Sequence, residues 1–233
     1  MPDIPTTPLN GISSMATRQL LADLLASWQA QGGQAVAMAS VGGVDAARRV
    51  AAGEAFDLVV LASDAIDALT AAGHLLAGSR VDLVQSAVAV AVPAGAPQPD
   101  IGTEAALRAA VLAAPSIGYS TGPSGTQLLQ LFARWGITDQ LQGRLVQARA
   151  GVPVGSLVAS GDVALGFQQR SELIGLAGIT LLGDLPAPVQ IHTIFSGAVA
   201  ASSQQPDAVR ALLAWLAAPA TAAAKQRHGM AAA

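Results

Sequence analysis

Within its first 75 or so residues the chain alternates three times between a short apolar run, a turn of small residues and an Ala/Leu-rich helical stretch. Leu9 to Ile12 reads as a strand, Ser13-Ser14-Met15 follows, and a helix then carries Leu20, Leu24 and Trp28 on one face until Gly32-Gly33 ends it. Ala35 to Ala39 reads as the second strand. Ser40-Val41-Gly42-Gly43 leads from it into a helix over about Asp45 to Ala52, stopped at Gly53. Leu58 to Leu61 is apolar without a break, the pattern of a strand buried on both faces, and Ser63-Asp64 opens a third helix that closes near Gly73. Such alternation demands right-handed βαβ units and a mainly parallel sheet flanked by helices.

The pattern then changes. Val81 to Val92 is long and strand-like, and the segment from Pro93 to Pro99 (PAGAPQP) breaks it, which marks a lobe boundary. A second α/β set follows. A helix spans Thr103 to Ala113, a strand Ser116 to Tyr119, and a hydroxyl-rich loop Ser120 to Thr126 leads to a helix from about Gln127 to Trp135. Arg144 to Ala148 is a strand candidate, Gly151 to Gly155 (GVPVG) precedes a helix through Ser160, and Val163 to Phe167 and Ile179 to Leu182 read as strands. Gln190 to Ala200 is a β-rich return crossing, and Pro206-Asp207 starts a terminal helix with Leu212, Leu213 and Leu216 as its packing face. A short tail helix ends near Gly229. The fold class is α/β with two lobes, each a mainly parallel sheet between helices, joined by two extended crossings.

Composition removes several function classes. The net charge of −3 supplies no basic surface for nucleic acid. The absence of cysteine excludes disulfides, thiolate metal sites and a Cys nucleophile. No run approaches the ~18 apolar residues of a membrane span, so membrane insertion is not expected. The opening MPDIPTTPLNG lacks the basic and apolar segments of a secretory signal, which places the chain as given in the cytoplasm, or in the periplasm if a signal was removed. His74, His192 and His228 are too far apart to suggest a metal site, and no cofactor motif occurs.

Three turns share one chemistry. Ser13-Ser14, Ser40 to Gly43 and Ser120 to Thr126 each stand between a strand and a helix. Free N–H groups and the helix dipole attract an anion at such a place, and small residues let it approach. Helix capping explains any one of them equally well. The third, with Ser120, Thr121, Gly122, Ser124, Gly125 and Thr126, holds more hydroxyls than one cap requires, and no Gly-Lys-Ser/Thr ends it as in a P-loop. Gln169 and Arg170 follow a strand, and Arg170 can pair bidentately with a carboxylate or simply be solvated. Tyr119, His192 and Glu172 are the candidates for proton transfer, Tyr119 and His192 having structural roles as the alternative.

The segments Gly53 to Asp64 (GEAFDLVVLASD), Val158 to Phe167 (VASGDVALGF) and Leu213 to Thr221 (LAWLAAPAT), with His228-Gly229, resemble those of the type II periplasmic solute-binding proteins, specifically the molybdate-binding-like group. The resemblance implies one lobe from residues 1–86 and 191–233, a second from 87–190, and a ligand cleft between them. It implies that Ser13, Ser14 and Gly43, with Met15, Gly42 and Ser63, face the ligand from the first lobe. The loop after Ser120, Pro153-Val154 and Gln169-Arg170 form the wall of the second. The implied partners are a small anion and, for an exported protein, an ABC permease. Ile12 to Arg18 (ISSMATR) and Tyr119 to Gly125 (YSTGPSG) are closer to a subgroup related to aconitate isomerase. Two functions follow: binding of a small oxyanion or organic carboxylate, or isomerisation of an unsaturated di- or tricarboxylate without a cofactor.

Overall fold

The computed structural model describes residues 7–149 and 151–233. Residues 1–6, which belong to the stretch read above for a secretory signal, lie outside them. In chain order the elements are β1 (Leu9–Ser14), α1 (Arg18–Ala30), β2 (Val36–Val41), α2 (Gly43–Ala51), β3 (Leu58–Ala62), α3 (Ser63–Ala71) and β4 (Val81–Pro93). There follow α4 (Glu104–Ala113), β5 (Ile117–Tyr119), α5 (Pro123–Arg134), β6 (Leu145–Gln147), α6 (Val154–Ala159), β7 (Leu165–Gln169) and α7 (Arg170–Leu173). The chain ends with β8 (Ile179–Asp184), β9 (His192–Val199), α8 (Pro206–Ala217), α9 (Ala222–Arg227) and β10 (Met230–Ala232). Among the described residues, no helix is long and apolar enough to cross a membrane.

Two compact units divide this chain, one of Met1–Gln85 with Ile194–Ala233 and one of Ser86–Thr193. Strands β4 and β9 carry the chain from one unit to the other. In the first unit β1 pairs in parallel with β2 and β3, and β3 pairs antiparallel with β9. The unbroken apolar reading of β3 is explained by its two faces. Leu58 and Val60 join Leu20, Leu24, Leu212 and Leu213 in one core, whereas Val59 and Leu61 join Ile12, Val50 and Ile66 in another. Helices α1 and α8 cover the first face, where Trp28 and Trp215 meet with ring centroids 5.4 Å apart. Helices α2 and α3 cover the second.

The second unit repeats this plan. β5 pairs in parallel with β6 and β7, and β4 pairs antiparallel with β7 and β8. Val88, Val90 and Phe167 face α4 and α5, with Phe132 edge-on to Phe167 at 6.1 Å. Ala89 and Ala91 face Val154 and Val158 of α6. Both sheets are therefore mixed. The βαβ units are parallel as the sequence pattern requires, and the antiparallel members are the crossing strands and β8, which no βαβ connection constrains.

Several boundaries shift in a way that matters chemically. β1 extends through Ser13 and Ser14, β2 through Ser40 and β7 through Gln168 and Gln169. α2 begins at Gly43 rather than near Asp45, and α5 at Pro123 rather than Gln127. What reads in sequence as turns is thus the last residue of a strand and the first turn of a helix. Backbone pairing extends these strands, and Pro at the start of a helix has the φ angle its first turn needs.

Candidate functional site

In the first unit the parallel register sets Ser13 beside Ser40 and Ser14 beside Val41. The Ser13 and Ser40 hydroxyl oxygens are 2.8 Å apart and satisfy each other. Strand alternation turns Ser14 to the opposite face, the face of α2 and α3. The Ser14 Oγ is buried and has no hydrogen-bond partner among the described residues. It adjoins the start of α2, since a Cβ on Gly43 would lie 3.7 Å from the Ser14 Cβ. No side chain caps α2 at Gly42, and Asp45 in its first turn is tied up by Arg48. The α2 terminus and the Ser14 hydroxyl thus form one pair of neighbouring donors. Met15 is half-buried after Ser14. Ser63 is half-buried as the first residue of α3, where Asp64 accepts the Ala65 N–H at 2.9 Å and already fills that helix terminus.

In the second unit Ser120 follows β5, and its hydroxyl meets that of Ser124 in the first turn of α5 at 3.1 Å. Ser124 is buried, and Thr121 and Thr126 are exposed. Gly122 caps α5 without a side-chain bond, and its carbonyl accepts the N–H groups of Gly125 and Thr126. Gly125 is obligatory for packing: a Cβ there would stand 1.9 Å from the Ser120 carbonyl oxygen. The small residues of this turn therefore hold the helix terminus hard against the strand end.

A second polar group forms around β7. The Gln168 Oε1 accepts the Gly155 N–H at 2.9 Å, in the first turn of α6, next to Pro153 and Val154. The other end of that carboxamide donates to Glu172 Oε2 at 2.6 Å. Burial pushes the Glu172 carboxyl up to about 7, against the lowering effect of the Gln168 hydrogen bond. Gln169, also buried, donates to Thr193 Oγ1 at 2.7 Å and leaves its Oε1 without a partner. Arg170, read in sequence either as a partner for a carboxylate or as solvated, pairs with Asp184 at 2.8 Å.

Tyr119 and His192 are the two remaining candidates for proton transfer. Tyr119 is half-buried at the edge of the Phe132–Phe167 core, and His192 is exposed at the start of β9. No hydrogen bond joins either of them to Glu172 among the described residues. No group of side chains suited to a metal ion occurs among the described residues. Two features escaped the reading of the sequence. Gln168 is an ordinary polar residue until the fold places it between Gly155 and Glu172. Lys225, the chain's only lysine, is buried, and burial lowers its pKa below the ordinary lysine value.

A family model described as "Bacterial extracellular solute-binding protein" matches residues 9–231. An aconitate isomerase from Pseudomonas sp. is 40% identical over 185 residues, 78% of this chain and 70% of that protein. Among solved structures, the periplasmic molybdate-binding protein of Azotobacter vinelandii aligns over 95% of this chain and 98% of its own with a TM-score of 0.79 at 22% identity. The substrate-binding domain of a putative molybdenum ABC transporter from Clostridium difficile aligns over 98% and 100% with a TM-score of 0.74 at 15% identity. These structural matches establish the fold, that of the molybdate-binding-like group. With its family model spanning nearly the whole chain, this protein belongs to the bacterial extracellular solute-binding protein family.

Proposed function

We propose that this chain binds a small anion and that the anion is an organic carboxylate. The observation that carries the proposal is Ser14: an enclosed hydroxyl without a partner, beside the uncapped start of α2. An unsatisfied buried donor costs about 1–3 kcal/mol, and an anion that accepts a hydrogen bond from it removes that cost. The free N–H groups and dipole of α2 act in the same direction. The relative named for aconitate shares 40% identity, against 22% for the one named for molybdate, which favours a carboxylate over a metal oxyanion. In an extracellular setting, as the family description has it, the chain would deliver its ligand to an ABC permease. The test is thermal unfolding against molybdate, tungstate, sulfate, citrate and cis-aconitate. A ligand at about 100 times its Kd adds roughly 2.7 kcal/mol of stability. Citrate or cis-aconitate is expected to raise Tm by several degrees. A rise with molybdate alone would contradict the carboxylate assignment.

A second reading is isomerisation of an unsaturated tricarboxylate, favoured by the identity with aconitate isomerase and by the Glu172 carboxyl that titrates near neutrality. In it the Glu172 carboxylate takes a proton from the allylic carbon. The electron pair so released forms the new double bond, the former double bond takes the proton back at its far carbon, and no redox partner is needed. Positioned general bases contribute about 10²–10⁴-fold to rate. Glu172→Gln is accordingly expected to slow proton exchange of cis-aconitate in D2O by at least 10²-fold. The wild-type rate should rise with pH through about 7, as the base ionises. No exchange by the wild-type protein would leave binding as the whole function.

A further inference from the structure

Among the described residues, three side-chain atoms of the second unit are buried without any hydrogen-bond partner: Ser86 Oγ, Gln169 Oε1 and Ser171 Oγ. The strand register relates them. Val88 pairs with Gln169 in the antiparallel β4–β7 ladder, Ser86 lies two residues before Val88, and Ser171 two residues after Gln169. Alternation along β4 turns Ser86 to the face that Val88 and Gln169 share. The group lies at the carboxyl end of β7. The parallel register of β5 with β7 brings the end of β5, and hence Ser120 and the start of α5, to that same end of the sheet. Ligands of open α/β sheets sit at carboxyl ends of strands.

Each buried polar atom left without a partner calls for one, an unseen water or ligand included. Their exposures of 0% for Ser86, 4% for Gln169 and 6% for Ser171 exclude bulk solvent as the missing partner. The Gln169 carboxamide has a second orientation. The Thr193 hydroxyl, 2.7 Å away, can donate as well as accept. With Thr193 donating to Oε1, the amide presents an N–H where the orphaned oxygen stood. One N–H and two O–H groups are then free to donate, with no carboxylate in hydrogen-bond contact with them among the described residues. The neighbouring cation, Arg170, is engaged by Asp184.

We propose that Ser86, Gln169 and Ser171 form a neutral donor subsite for one carboxyl group of a polycarboxylate ligand. The subsite rests on the carboxylate reading above and deepens it, by naming the donors of the second unit that would take one carboxyl group. The test is calorimetric titration of the full chain, wild type and Ser86→Ala/Ser171→Ala, with cis-aconitate and with the monocarboxylate crotonate. The double variant is expected to bind cis-aconitate at least 30-fold more weakly, and its ligand-free Tm should stay equal or rise, since two unpaired hydroxyls are gone. Unchanged affinity for cis-aconitate would overturn the subsite. So would a fall of several degrees in ligand-free Tm with affinity kept, the mark of hydroxyls that only hold an ordered water. Failure of the underlying reading is visible separately, as wild-type protein that binds no carboxylate at all.

Discussion

Lys225 sits among apolar side chains, lining a small cavity with Thr17, Leu20, Val60, Leu83 and Leu216. Its ammonium group has no carboxylate partner among the described residues, and desolvation lowers its pKa below 10.5. The unfolded chain therefore binds more protons than the folded one between the lowered value and about 10.5, and stability rises with pH through that window. Lys225→Met keeps the volume and removes the buried charge. Urea denaturation at pH 7 and pH 10 should show the variant more stable at pH 7, by about 1–3 kcal/mol, and its stability less dependent on pH. A less stable variant would show that the ammonium group has a structural partner. Glu172 works in the opposite direction. Its carboxyl is raised from 4.5 to about 7, so the folded chain holds the extra proton and stability falls as pH rises from about 4.5 to 7. Glu172→Gln should abolish that dependence.

At the scale of elements, the turn from β5 to α5 depends on contact between Gly125 and the Ser120 carbonyl. A methyl group at position 125 would overlap that oxygen, with 1.9 Å between them, so the strand end or the helix must move. Gly125→Ala is expected to destabilise the protein by about 1–3 kcal/mol, the range for overpacking, and calorimetric unfolding measures it. The turn shows what a sequence makes visible and what it hides. β3 is plain in sequence because Leu58 to Leu61 are apolar on both faces, and α8 is plain because Pro206 starts it and Leu212, Leu213 and Leu216 line one side. Ser13, Ser14, Gln168 and Gln169 look like turn residues, because their strand character comes from backbone pairing with residues far along the chain. α7 and β10, of four and three residues, are too short to carry a period at all.

At the scale of the molecule, the order of strands and helices is enough to indicate the fold, because a βαβ series leaves few topologies. The family then follows from the matched span of residues 9–231. The identity of the ligand is less legible. It depends on which polar atoms the folded chain leaves unpaired, and Ser86 and Ser171 acquire a shared environment only through the pairing of β4 with β7. The central claim is that a carboxylate anion is held by donors the fold leaves free, the Ser14 hydroxyl foremost. Isothermal titration of wild type and Ser14→Ala with cis-aconitate tests it most directly. Loss of one hydrogen bond to a charged group, about 1.5–3 kcal/mol, corresponds to roughly 10- to 150-fold weaker binding by the variant, with its ligand-free Tm unchanged or higher. Equal affinities for the two proteins, or no heat of binding in either, would contradict it.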